Sequence, residues 1–265
     1  MSIISKLKSK RWRYFLSQSR VTVESGGELK VGRNVSITKS VIYVAKGSKV
    51  TIGEGTKLRN CTIYTKGEGN KIDIGANNSV EGVTFDSYMG SFSIGDYNII
   101  SRAADGYPPL FRVHGGGLTI GSYNKICCTL WVRFGGELSI GNRNAINQRT
   151  EIRADHRVCI GSYNQISYDC VVWDTNTHCI YSAQCRREIT DEQYPAFGLE
   201  VERPKTAPVT IGDDCWIARG VSILKGVKIS DKCIVAYKTT IIKGEYAPNS
   251  VIMNDCAVKV TTNNI

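Results

Sequence analysis

Aliphatic residues recur at Ile211, Ile217, Ile223, Ile229, Val235 and Ile241, every sixth position without a miss. A six-residue beat is neither the 3.6 period of a helix nor the alternation of an ordinary strand. It predicts a parallel β-solenoid, in which each short strand ends at a corner and each corner takes an inward-pointing aliphatic. Upstream the beat is looser. A Val/Ile-Gly pair recurs at 31, 52, 74, 94, 120, 140, 160 and 211, mostly 20 to 22 residues apart, against 18 for three regular hexads. The excess falls at glycine-rich corners such as Lys46-Gly47-Ser48, Gly67-Glu68-Gly69-Asn70, Gly115-Gly116-Gly117 and Gly135-Gly136-Glu137. Each coil is therefore expected to hold three short strands with one enlarged corner, and about ten coils fill residues 25–260 as one elongated all-β domain.

The residue after the corner aliphatic is mostly Gly, with Asn or Asp close behind, as in GDYN, GSYN and GNRN. These residue types enter the left-handed backbone region cheaply, and turning between strands is the role expected of them. Periodicity leaves the hand of the solenoid open, because general rules favour right-handed crossovers. Two segments depart from the beat. Residues 101–110, SRAADGYPPL, lengthen one coil and carry Pro108-Pro109, which no ladder strand accommodates. Residues 179–208 interrupt the repeat altogether, and their polar part from Ser182 to Gln193 can form a helix or an extended arm. An excursion of that length within a compact repeat is usually functional.

Residues 1–24 stand apart. Ile4, Leu7, Trp12, Phe15 and Leu16 can share one face of a short N-terminal helix over 1–20, surrounded by Lys and Arg. Six of the net ten positive charges lie in residues 1–20, where there is no acid, so the body is only mildly basic. Packing on the body or on a neighbouring subunit competes with a peripheral anchor on an anionic membrane surface. No run approaches the roughly 18 apolar residues of a membrane span, and no secretory signal is read at the start. The ten cysteines form no CxxC pair, and several occupy positions suited to a small apolar residue. Free thiols in a reducing cytoplasm are the expectation. Nothing in the charge pattern requires nucleic acid.

The run Ile211-Gly-Asp-Asp-Cys-Trp-Ile-Ala-Arg-Gly-Val-Ser-Ile-Leu-Lys-Gly-Val-Lys-Ile-Ser230 resembles the hexapeptide-repeat acyltransferases, and Cys233–Ile252 follows that family toward its C-terminal end. Asp174-Thr-Asn-Thr-His178 resembles the motif that the branch acting on bacterial surface sugars keeps before a loop. The resemblance is specific over 170–252 and generic over 25–169. It implies a left-handed parallel β-helix, a homotrimer with active sites between subunits, acetyl-CoA as donor and a sugar hydroxyl or amine as acceptor. It further implies that Trp216, Ala218, Ala236 and Tyr237 line the pantetheine groove, with Lys238, Lys243 and Lys259 as phosphate partners. Asn147 and Gln148 match an acceptor-binding amide position. Trp173, Arg186 and Arg187 border the same acceptor site. The chain differs from the family at Met253-Asn-Asp-Cys-Ala-Val-Lys259, which lacks the usual G-N-P-A-K, at Ala218 for Gly, and at Tyr237, where the family keeps a small segment that gives coenzyme A room.

A sugar hydroxyl attacks a thioester poorly until a base takes its proton, and a neutral imidazole is suited to that work. His178 is the candidate base, with Asp174 or Asn176 fixing its tautomer. His114, in a glycine-rich corner, and His156, between Asp155 and Arg157, read as solvated corner residues. A three-histidine zinc site is not supported, since these are all the histidines and they lie 42 and 22 residues apart; no metal is expected. The function expected is O-acetylation of a sugar in a cell-surface polysaccharide or its precursor, by a cytoplasmic enzyme able to meet the membrane's inner face. A non-catalytic trimeric scaffold and an N-acyltransferase on an amino sugar are the competing readings.

Overall fold

The computed structural model describes residues 15–195, 198 and 202–255. Every third strand stacks on the next to give three parallel sheets of eleven, ten and ten strands, here A, B and C. The strands run from β1 (Phe15–Ser17) to β31 (Val251–Ile252), and each coil visits A, B and C in turn. The result is a three-sided parallel β-solenoid of eleven turns. Ile211, Ile217, Ile223, Ile229, Val235 and Ile241 are between 0 and 3% exposed and fill its axis with the matching aliphatics of earlier coils. Phe85 widens the core locally, packed edge-on against Phe92 and Phe111 at centroid distances of 6.0 and 5.4 Å.

The corner glycines do a different job from the one expected. Gly141 and its equivalents after each corner aliphatic do not adopt positive φ. A Cβ on Gly141 would lie 2.6 Å from the carbonyl oxygen of Gly161 in the next coil. Glycine is needed there for close stacking of coils. The left-handed residue comes two positions later, at Asn77, Tyr97, Tyr123, Arg143, Tyr163 and Asp214. Tyrosine in that region is unusual; here Tyr97 and Tyr123 stack at 5.1 Å and the Arg143 guanidinium lies 4.6 Å from the Tyr123 ring. The next residue of each motif points inward. Asn78, Asn98, Asn124, Asn144 and Asn164 form a buried ladder, each accepting at Oδ1 from a backbone N–H of the following coil and donating from Nδ2 to a corner glycine carbonyl.

Cysteine replaces that asparagine at Cys215 and Cys233, where the thiols donate to Ser230 O and Ala247 O at 3.2 Å. No disulfide joins the nine described cysteines. Burial pushes the Cys128 and Cys215 thiols above their ordinary range, so they behave as small apolar residues, as their positions suggest.

Two expectations change at the ends. Phe15–Ser17 is the first strand of sheet A and Arg20–Val23 (β2) the first of sheet B, so the helix expected over 1–20 does not include these residues, and the solenoid starts about ten residues earlier than residue 25. Their backbone groups are satisfied by the next coil, which outweighs a helical hydrophobic face. The rest of that segment, residues 1–14, and Lys259 lie outside the described residues. Among the described residues no helix is long and apolar enough to cross a membrane. Residues 102–109 bulge at the A–B corner, pinned by Arg149 Nη1 to Asp105 at 2.6 Å and by the Tyr107 and Thr129 hydroxyls at 2.9 Å.

Candidate active site

His178 lies five residues beyond β23 (Val171–Trp173, sheet B) and before β24 (Val209–Ile211, sheet C), at the B–C ridge of the eighth coil. It is exposed, and Thr177 before it takes a left-handed conformation at φ 67°. The excursion that follows leaves and re-enters the solenoid through a narrow root. Thr175 bridges Thr206 in antiparallel fashion, the Asn176 N–H donates to Lys205 O at 3.0 Å, and the Ala207 N–H donates to Asp174 O at 2.9 Å. The polar stretch forms helix α1 (Ala183–Gln193), whose N-cap Ser182 accepts from the Cys185 N–H. Arg186 on α1 donates to Cys179 O at 2.9 Å and stacks over Tyr181, holding the helix to the root. Arg187 is exposed on the same helix.

Asp174 occupies a position that pattern alone does not reveal. Its side chain is fully buried, and its two oxygens accept from the backbone N–H groups of Asp155, His156 and Arg157 at 2.8, 2.7 and 2.6 Å. Burial raises its pKa, which the three N–H donors oppose. The carboxylate thus closes the corner of the preceding coil, beneath the root of the His178 loop. Beside it, buried Asp155 receives both Nε and Nη2 of Arg133, at 2.8 and 2.6 Å, and the same guanidinium reaches Thr177 O at 3.5 Å. Arg133 escaped the sequence reading; its signal was the register that aligns coil six with the turn at Asp155.

Trp173 extends a column on the outer face of sheet B. Arg153 stacks between Trp131 and Trp173, with its guanidinium carbon 4.4 and 4.9 Å from the two rings, and pairs with Glu151 at 2.6 Å. The indole N–H groups of Trp131 and Trp173 are buried without an acceptor among the described residues, an uncommon state for buried polar groups.

The residues expected to meet coenzyme A are elsewhere. Trp216 and Ala218 follow on β25 (Trp216–Ile217), and Ala236 follows β28 (Ile234–Val235), all on sheet A. Asn147, Ser167, Ala218 and Ala236 form one column there, and Gln148 sits at the adjoining A–B corner. Trp216, Ile234, Val251 and Met253 make an exposed apolar strip beside the two small alanines. Tyr237 does not fill that strip: it is 61% exposed at the A–B corner, with Lys238 Nζ 5.3 Å from its ring. Lys243 lies beyond β29 (Thr240–Ile241, sheet B), on the ridge that carries His178 two coils earlier. His114 sits at the end of β14 (Leu110–His114), 3.4 Å from Asp86, and His156 lies in the turn capped by Asp174. Within one chain, then, sheet A and the B–C ridge are on opposite sides of the solenoid, and His178 does not meet the sheet A residues.

No protein-family model matches the chain, and no curated protein matches it. Among solved structures it is similar to the polySia-specific acetyltransferase NeuO, at 15% identity and a TM-score of 0.48, over 94% of this chain and 92% of that one. It is also similar to the polysialic acid O-acetyltransferase OatWY, at 18% identity and a TM-score of 0.35, covering 96% and 95% of the two chains. LpxA from Acinetobacter baumannii aligns at 17% identity and a TM-score of 0.41, over 88% of this chain and 69% of that one.

Proposed function

We propose that this chain is an acyltransferase that moves an acetyl group from acetyl-CoA to a hydroxyl of a sugar in a cell-surface polysaccharide or its precursor. The observation that carries the reading is the placement of His178: an exposed imidazole at the mouth of the helix-bearing excursion, on a root made rigid by Asp174, Arg133 and the Thr175–Thr206 bridge. A general base needs that fixity, because proton transfer depends on holding the imidazole within hydrogen-bond reach of the hydroxyl.

In this reading His178 takes the hydroxyl proton as the sugar oxygen attacks the thioester carbon. The thiolate of coenzyme A leaves without needing a strong acid, and the acyl group passes to the sugar as an ester. Asn176 is the candidate for orienting the imidazole, while Asp174 holds the root, its oxygens being given to backbone N–H groups. Sheet A of the ninth and tenth coils suits a pantetheine arm, since Ala218 and Ala236 leave a shallow lane beside Trp216 and Ile234. That lane faces away from His178 of the same chain, so the reading requires a homotrimer in which His178 of one subunit faces sheet A of its neighbour.

The test is acetyl transfer to candidate glycans by the wild type and by His178→Ala. Loss of a general base is expected to lower turnover by about 10²–10⁴-fold, with coenzyme A binding unchanged by calorimetry. Turnover near the wild-type rate in the variant would remove the mechanism.

A further inference from the structure

The outer face of sheet B has features that acyl transfer at His178 does not use. From the second to the eighth coil, one register position carries Tyr43, Tyr64, Asp86, Arg112, Trp131, Arg153 and Trp173 in unbroken succession. Near the N-terminal end of this column the face hollows into an open concavity of about 530 Å³, lined by Tyr64, Tyr88, Lys66, Asp86, His114 and two threonines. A second hollow of about 240 Å³ adjoins it, sharing Tyr64 and Lys66 and extending to Tyr43 and Lys46. The larger hollow lies within the size range of small-ligand sites.

Its chemistry is selective. Tyr64 and Tyr88 are 39% and 44% exposed, so each offers apolar ring surface with a hydroxyl at the tip. The acids are already engaged. Asp86 accepts from Arg112 Nε at 2.9 Å and lies 3.4 Å from His114 Nε2, Glu68 pairs with Lys46 at 3.2 Å, and Glu24 accepts from the Tyr43 hydroxyl and the Lys46 N–H. Lys66 has no carboxylate partner among the described residues. The hollow therefore combines exposed aromatic surface, hydroxyls and an uncompensated ammonium group. Those features complement a sugar ring with an apolar face, a rim of hydroxyls and a carboxylate.

We propose that this hollow is a binding subsite for an acidic glycan chain, remote from the site of transfer. It rests on the reading of the chain as acting on a sugar acceptor. Tyr64 belongs to the third coil and His178 to the eighth; at about 4.8 Å per coil they are roughly 24 Å apart along the axis. A single sugar cannot touch both. An extended acceptor running along the Arg and Trp column can, and tethering at the subsite raises the local concentration of its end at His178.

The experiment measures binding of sialic acid and galacturonic acid oligomers, and of uncharged cello-oligosaccharides of equal length, to the full chain. Wild type, Lys66→Glu, the pair Tyr64→Ala/Tyr88→Ala, and His178→Ala are compared. The expected result is that at least one acidic oligomer binds better than the neutral ones, that both sheet B variants weaken it at least about tenfold, and that His178→Ala binds as wild type. Transfer to a monosaccharide acceptor should survive in the sheet B variants, while KM for a long acceptor rises. No preference for acidic oligomers, or wild-type binding by both sheet B variants, would overturn the subsite and leave the mechanism at His178 standing. A change of sedimentation in Lys66→Glu, with its unfolding midpoint unaltered, would instead identify the face as a subunit interface and overturn the proposal. Unimpaired transfer by His178→Ala together with the expected binding pattern would remove the transfer mechanism and leave the subsite intact.

Discussion

Asn144 shows how much one side chain does in a solenoid. Its Oδ1 accepts the N–H of Asn164 at 2.8 Å and its Nδ2 donates to Gly161 O at 3.0 Å, so it joins two coils at a buried corner. Asn144→Ala leaves the Asn164 N–H without a partner, while Gly161 O keeps the Gly141 N–H at 3.2 Å, and is expected to cost about 1–3 kcal/mol. Urea unfolding checks this, and an unchanged midpoint would show that the ladder contributes nothing. Asp86 carries a pH prediction. Its hydrogen bond with His114, assisted by Arg112, holds its pKa below the ordinary carboxylate value. Its contribution is therefore complete above that ordinary value and is lost as pH falls through the depressed one. As pH falls below about 4, the ordinary aspartate value, and on through the depressed one, the wild type should lose more stability than Asp86→Asn. Parallel losses would show that the carboxylate is not stabilised in the fold.

At the scale of elements, the excursion is the one helix-bearing interruption among the described residues, and its behaviour depends on its root. Arg133 is the tie: bidentate to buried Asp155, stacked 5.1 Å from the Trp131 and Phe134 ring centroids, and in contact with the carbonyl before His178. Removing one partner of a buried pair strands the other charge, so Arg133→Ala is expected to destabilise by about 3–5 kcal/mol. Removing Asp155 as well should restore part of that stability, while transfer stays impaired because the support under Thr177 is still missing. Thermal unfolding and transfer rates of the single and double variants separate the two effects. Full recovery of transfer in the double variant would show that Arg133 does not position the loop. Lysine is a poor substitute here, having neither the planar fork nor the stacking surface of Arg133.

At the scale of the whole molecule, eleven stacked coils bury one aliphatic axis and leave His178 and the sheet A lane on opposite sides. A site shared between subunits makes a specific prediction. His178→Ala and Ala218→Trp should each transfer at least about 10²-fold more slowly alone, the first lacking the base and the second having its lane filled. Mixed assemblies of the two contain some interfaces with an intact base facing an intact lane, and should regain measurable transfer. Absence of recovery, with mixing confirmed by mass, would count against a shared site.

Much of this was legible in the chain because a solenoid is built from local repetition. Each coil contacts the one about 20 residues away, so the hexads at Ile211–Ile241, the enlarged glycine corners and the breaks at 101–110 and 179–208 all appear as periodicity or its loss. The motif letters were legible, but not their division of labour. Gly, Tyr and Asn in Gly-Ser-Tyr-Asn serve close stacking, the left-handed turn and the buried ladder respectively, and only the packing between coils assigns those roles. Phe15–Ser17 became a strand because a neighbouring coil offered hydrogen bonds that a local helical pattern does not register. That Asp174 accepts from three backbone N–H groups, and that Arg133 and Arg153 meet Asp155 and Trp173, follows only from the register between coils. The sequence by itself determined the fold class, the length of the repeat and the place of the candidate base, since each follows from spacing along one chain. Tertiary structure decided which side each residue faces and what it touches, because the closing of three sheets around an axis sets those relations, and no local pattern encodes it.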